Sequence, residues 1–154
     1  MTRTTEQPGR AHTWGEDIVD GLLRGTGAGG LMIAYVLLAG ALSGEAAAAT
    51  LGRFDPARGG EALRGGLAHL ATAAVYGAVF GAAWHALSPW RARLPGWLAG
   101  LAYSVLLLAL ANGLLLPWMT PALRGFPALH FFVAHLLYGV TLGWLSARRL
   151  SAGG

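Results

Sequence analysis

The chain has 154 residues, a formal net charge of +4, no cysteine, 55% hydrophobic residues and 12% charged ones. About a quarter of a soluble domain is charged, so the usual supply is roughly halved, and mean hydropathy is positive at +0.51. The 11 basic residues are all arginine, and four windows hold no Asp, Glu, Lys or Arg: 25–44, 65–90, 94–123 and 125–147. Each is longer than the roughly 18 apolar residues that read as a membrane span. A water-soluble globular domain, a disordered tail and a disulfide framework are excluded.

In chain order, residues 1–24 form an N-terminal segment in which Thr13-Trp14-Gly15-Glu16 fits a capping box. Trp14, Ile18 and Leu22 follow at four-residue spacing. This predicts a short interfacial amphipathic helix, with a simple extension of the first span as the alternative. Gly25-Thr26-Gly27-Ala28-Gly29-Gly30 lacks the Lys and the strand–loop–helix context of a phosphate cradle, and predicts a flexible, closely packed start to a first span at 27–44. The run Glu45-Ala46-Ala47-Ala48-Ala49 could pass for a signal cleavage site. The preceding region carries four acidic residues and is no short basic stretch, so the span is expected to stay uncleaved. Further spans are predicted at 65–87, 95–116 and 126–147, within a transmembrane domain of 25–149 and ahead of a short tail at 150–154. Ser88-Pro89 stops the second span, Pro95 opens the third, and Pro117, Pro121 and Pro127 punctuate the connection to the fourth. Trp90, Trp97 and Trp118 fall at span ends, with Trp84 and Trp144 within a turn of one, as interfacial indoles do.

Four spans put both termini on one side. That side carries Arg3, Arg10, Arg24, Arg91, Arg93, Arg148 and Arg149, against Arg53, Arg58, Arg64 and Arg124 on the other. The positive-inside rule then predicts an inner (plasma) membrane protein with cytoplasmic ends. The pI of about 10.3 follows from arginines flanking spans. Lipid headgroups are their expected partners, and no nucleic-acid binding is expected, because no basic patch is interleaved with exposed aromatics.

The second and fourth spans share a pattern: Tyr76-Gly77-x-x-x-Gly81 and Tyr138-Gly139-x-x-x-Gly143, each followed by a tryptophan and preceded by a histidine, His69 or His135. Two helical hairpins of one orientation are predicted, as in parallel repeats. Glycines four apart let backbones approach, so Ala73, Gly77 and Gly81, with Gly139 and Gly143, are predicted to pack the bundle or, alternatively, a dimer. From about Leu22 to Arg149 the chain resembles an uncharacterised family of small bacterial four-helix integral membrane proteins, a domain of unknown function. The residues that carry the likeness are His69 ahead of Tyr76-Gly77-x-x-x-Gly81, the third span ending at Leu116-Pro117, and His135-Leu136-Leu137-Tyr138-Gly139-x-x-Leu142-Gly143-Trp144. The resemblance implies a four-span fold and no particular activity.

Ionisable groups inside a span are costly and point to function. Measured from the predicted span starts, His69 and His130 both lie about 6 Å deep, and His135 roughly 7 Å deeper. Glu45 and Asn112 lie at the same end of their spans, so every helix places a polar group in one outer layer. His69, His130 and His135 are the candidate cofactor-binding residues, and Glu45, His69 and His130 a candidate transition-metal set. Axial haem ligation, with haem b as the candidate, a quinone headgroup or a proton relay would suit the same groups; interhelical hydrogen bonding is the structural alternative. His130 and His135, about 140° apart around a helix, cannot both face one small ion. Tyr76 and Tyr138, near mid-membrane, are expected to make one hydrogen bond each, and His85 to be interfacial. No nucleophile with a base is present in sequence, so no enzymatic activity is expected. The leading expectation is a non-catalytic accessory or scaffolding subunit of a membrane assembly, or a homo-oligomer. The alternatives are a His-ligated haem, metal or quinone protein, and an oligomeric small-solute transporter or channel.

Overall fold

Four helices long and apolar enough to cross a membrane dominate the computed structural model, which describes residues 13–115 and 127–151. No strand occurs among the described residues. The architecture is an all-α, four-helix membrane bundle, the form required where lipid cannot satisfy backbone groups.

Helix α1 (Trp14–Leu42) begins at the capping box: Thr13 accepts the Glu16 amide at 3.3 Å while the Glu16 carboxylate takes the Thr13 amide at 2.8 Å. No break follows. Of the two readings of this segment, a separate interfacial helix or an extension of the first span, the extension is the one seen, as one rod of 29 residues, about 43 Å long. The glycine-rich stretch is helical rather than flexible because Gly21, Gly25 and Gly29 are buried against a neighbour, which offsets their low propensity of about 1 kcal/mol each. The rod exceeds the roughly 30 Å hydrocarbon core, so its first turns hold their charges at headgroup level. It ends in a Schellman motif: Gly44 adopts φ 77°, its amide reaches the Ala41 carbonyl (3.0 Å) and the Glu45 amide reaches Gly40 (2.9 Å).

The connection to the second span is built rather than loose. Helix α2 (Ala47–Gly52) tucks Thr50 under Gly40. Asp55, 1% exposed, then accepts the amides of Ala57 and Glu61 at 3.0 Å each and the Arg64 Nε at 3.2 Å. The Glu61 amide above all, with Ala57 and the Arg64 charge, holds the Asp55 carboxyl below its ordinary value of 3.8 despite burial. A depressed carboxylate contributes stability above its unfolded pKa and loses it as pH falls through the folded value. Protection factors of the Ala57 and Glu61 amides, which remove the intrinsic pH dependence of exchange, are therefore expected to hold down to about pH 4 and to fall at more acid pH, and Asp55→Asn should lower them already at neutral pH. Unchanged exchange in the variant would contradict this anchoring.

Helix α3 (Ala62–Ala86) gives way to a 3-10 turn at Ser88–Trp90. Helix α4 (Gly96–Leu110) opens after Pro95 and widens into a π turn, Ala111–Leu115. Helix α5 (Ala128–Ser151) closes the bundle and runs four residues past the predicted end at 147. Pro117, Trp118, Pro121 and Arg124 lie outside the described residues, as do residues 1–12 with His12.

The predicted glycine stripes do pack, against partners the sequence reading did not pair with them. A Cβ at Gly25 would sit 2.5 Å from the Ala73 carbonyl and 2.6 Å from the Gly77 Cα; one at Gly29 would sit 2.5 Å from the Ala73 Cβ. Gly77 and Gly81 face Gly21, Gly25 and the Asp17 carbonyl in return. In the second hairpin a Cβ at Gly100 would meet the Gly143 Cα at 2.8 Å, and one at Gly96 the Ala147 Cβ at 2.5 Å, while Gly139 faces Gly100 and Ser104. Each hairpin is thus an antiparallel pair with its backbones in contact, held by dispersion and short Cα–H···O approaches. Helix α1 also packs on α5. The α3–α4 side is bridged by aromatics: the Tyr103 hydroxyl donates to the Tyr76 carbonyl at 2.8 Å, and Phe80 meets the Tyr103 ring at 5.3 Å.

At the end bearing the termini, Asp17 Oδ2 lies 2.7 Å from His85 Nδ1 and 3.2 Å from Arg91, and Arg91 also donates to the Trp84 carbonyl. Trp14, Trp90, Trp97 and Trp144 are exposed, as interfacial indoles should be. Trp84 is the exception: 4% exposed and stacked on Phe80, it is core.

Candidate functional site

The outer polar layer expected from the sequence separates into three environments. Glu45, presented by the Schellman turn, is bound by Arg53 Nε at 2.8 Å. His130 Nδ1 lies 2.9 Å from the Tyr35 hydroxyl of α1. Both belong to a polar rim pocket of about 350 Å³ that includes Ser43 and Arg53. Asn112 is exposed and donates to its own helix at Leu108, 2.9 Å away, so it leaves the layer. Among the described residues no three His, Asp or Glu side chains gather as a metal site. The set Glu45, His69 and His130 is therefore not brought together.

What the fold does bring together is His69 and His135. Both line a cavity of about 210 Å³ between the hairpins. Its floor is Met32, Ala73 and Leu107, and Phe54 and Pro56 from the connection anchored by Asp55 cover it. Thr72, Tyr76 and Tyr138 complete the polar lining. Counted from the actual helix starts, His69 and His135 are each the eighth residue of α3 and α5. The predicted starts, 65 and 126, erred in opposite directions by three and two residues. The total of five is the spacing that separates His130 from His135, which is why depth counting set His130, and not His135, level with His69.

Helical phase explains the remaining placements. Steps of four residues advance about 40° beyond a full turn, so the series His69, Ala73, Gly77, Gly81, His85 winds around α3 rather than forming one straight face. His69 meets the cavity, the small residues meet α1, and His85 meets Asp17. His135 and His130 diverge on α5 for the same reason.

The polar groups of the cavity are unequally satisfied. Tyr138 donates to the Ala73 carbonyl at 2.8 Å, as expected of a buried phenol. His135 Nδ1 lies 2.8 Å from the Phe131 carbonyl. His69 packs against the edge of Phe54 at 4.9 Å between centroids, and its buried Nε2 has no hydrogen-bond partner. The Tyr76 hydroxyl, expected to find an acceptor, is given none among the described residues; only the carbonyl of Tyr76 is engaged. The sequence reading missed the cover of this cavity. The signal was available in Phe54-Asp55-Pro56, an aromatic and a proline flanking an acid, inside a connection that looked featureless.

The volume decides between ligand classes. Sites for drug-sized molecules run about 300–1,000 Å³, so about 210 Å³ admits a single ring and not a porphyrin. Compared with known protein families, curated proteins and solved structures, the chain matches none.

Proposed function

We propose that this protein is a non-catalytic membrane protein that holds the ring of a small lipid-soluble molecule, of the benzoquinol and benzoquinone size class, between its two hairpins. The observation that carries this reading is His69: a buried imidazole nitrogen with no partner, at an apolar cavity sized for one ring. Leaving such a group unsatisfied costs about 1–3 kcal/mol, and hydrocarbon supplies no water to relieve it. A ligand that draws the ring round, so that its nitrogen faces the cavity, would. The accessory or scaffolding role rested on small-residue faces and on tryptophan belts; the glycine faces are used inside the hairpins, while Trp14, Trp90, Trp97 and Trp144 stay exposed. Placement in a plasma membrane with both termini cytoplasmic, from the arginine distribution, would set the cavity in the extracytoplasmic half.

The test is equilibrium dialysis of a short-tailed benzoquinol, kept reduced, against protein in lipid nanodiscs. A saturable site of one ligand per chain is expected, weakened about tenfold in His69→Leu by the loss of one hydrogen bond. Uptake that rises linearly with lipid and is equal in empty discs would overturn the reading.

A further inference from the structure

Resting on that ring site, we propose that it selects a hydrogen-bond donor: a phenolic or quinol hydroxyl is held, and the matching quinone carbonyl is not. The reason lies in which protons of the cavity are already committed. The Phe131 carbonyl can only accept, so His135 Nδ1, 2.8 Å away, must carry the proton of that bond. A neutral imidazole with its proton on Nδ1 presents Nε2 as a bare lone pair. No group among the described residues donates to that nitrogen. Tyr138 has likewise given its only proton to the Ala73 carbonyl, which leaves its oxygen able to accept and unable to donate.

Thr72, whose hydroxyl donates to the Ala68 carbonyl at 2.8 Å, is fixed in the same way, so the three fixed polar groups of the cavity are all acceptors. The His69 ring and the Tyr76 hydroxyl hold no hydrogen bonds among the described residues and can turn to either role. A quinol hydroxyl donates to His135 Nε2 and still accepts from His69 or Tyr76. A quinone, with acceptors alone, can accept a hydrogen bond from His69 or Tyr76 but has no proton to give, so the His135 Nε2 lone pair stays unmet. An O-methyl ether has the shape of the quinol and none of its donors, so it separates hydrogen bonding from fit. The Phe131 carbonyl is a positioning group here: it never touches the ligand and acts by fixing the tautomer of His135.

The experiment uses the whole protein in nanodiscs with three probes sharing one short tail: the benzoquinol, its benzoquinone and its dimethyl ether. The quinol is expected to bind about tenfold more tightly than either of the others, the effect of one hydrogen bond. In protein carrying ¹⁵N-histidine, the His135 Nε2 resonance is expected to move with the quinol and stay still with the ether. His135→Phe should bring the three affinities together; if that variant does not fold, the comparison on the unmodified chain decides. Quinone or ether binding as tightly as the quinol would overturn the donor rule while leaving the ring site standing. If none of the three binds saturably, the ring site itself falls and the donor rule with it.

Discussion

Leucine at Gly77 or at Gly100 is expected to separate the helices of its hairpin and to abolish the cooperative melting transition of the purified protein. Overpacking costs about 1–3 kcal/mol where neighbouring side chains can shift. At these positions the obstacle is backbone: the Gly25 Cα stands 2.5 Å from a Cβ at Gly77, and the Gly143 Cα 2.8 Å from one at Gly100. The only relief is to move the helices apart. That removes the close approach along the whole seam, and lipid offers no hydrophobic drive to restore it. Gly27 and Gly30 are the matched controls, because a Cβ at either meets nothing within 4 Å. Alanine there is expected to be neutral or stabilising by up to about 1 kcal/mol, from helix propensity alone. Circular-dichroism melting in mild detergent checks both arms. A Gly77→Leu protein that melts with the unmodified chain, or a Gly27→Ala protein that melts far below it, would contradict the pairing of α1 with α3.

His69→Leu is expected to have opposite effects on stability and on binding. The imidazole carries a buried nitrogen without a partner, and replacing it with an apolar side chain of similar reach removes a penalty of about 1–3 kcal/mol. The variant should therefore melt higher than the unmodified protein when no ligand is present. Added benzoquinol should narrow that gap, because by mass action it stabilises the unmodified chain more than the variant, by up to about 1.4 kcal/mol for a tenfold difference in affinity. A variant that melts lower with and without the ligand would mark His69 as a packing residue. Such a trade of stability for binding is what functional sites commonly show.

Much of the fold was legible because lipid imposes a simple rule: long stretches without charge must be helices. The four spans, the Thr13 capping box and the small-residue faces at Gly77, Gly81, Gly139 and Gly143 follow from composition and spacing. The partners of those faces were harder to see. Gly21, Gly25 and Gly29 were assigned partly to an N-terminal segment and partly to a flexible stretch, because glycine reads as a helix breaker until a neighbouring backbone is there to use its missing side chain. Gly96 and Gly100 were passed over in a span read for its prolines, Trp97 and Asn112. The candidate site was half legible. Histidines inside spans announced it, but which of them meet depends on helix phase and on where each helix begins, and a shift of a few residues put His130 rather than His135 level with His69. The Asp55 anchor and its cover over the cavity arise from amides and side chains brought close only by the turn itself, so no periodicity foretold them.

The occupancy of the space between the hairpins is tested most directly by a benzoquinol analogue bearing a photoreactive diazirine on its ring, activated in nanodiscs and mapped by mass spectrometry. Adducts are expected on cavity-lining residues, Phe54, Thr72, Leu107 and Phe131, and should vanish when unlabelled benzoquinol is added. Adducts confined to the lipid-facing side chains Val75, Val79 and Leu106, undiminished by the competitor, would contradict it.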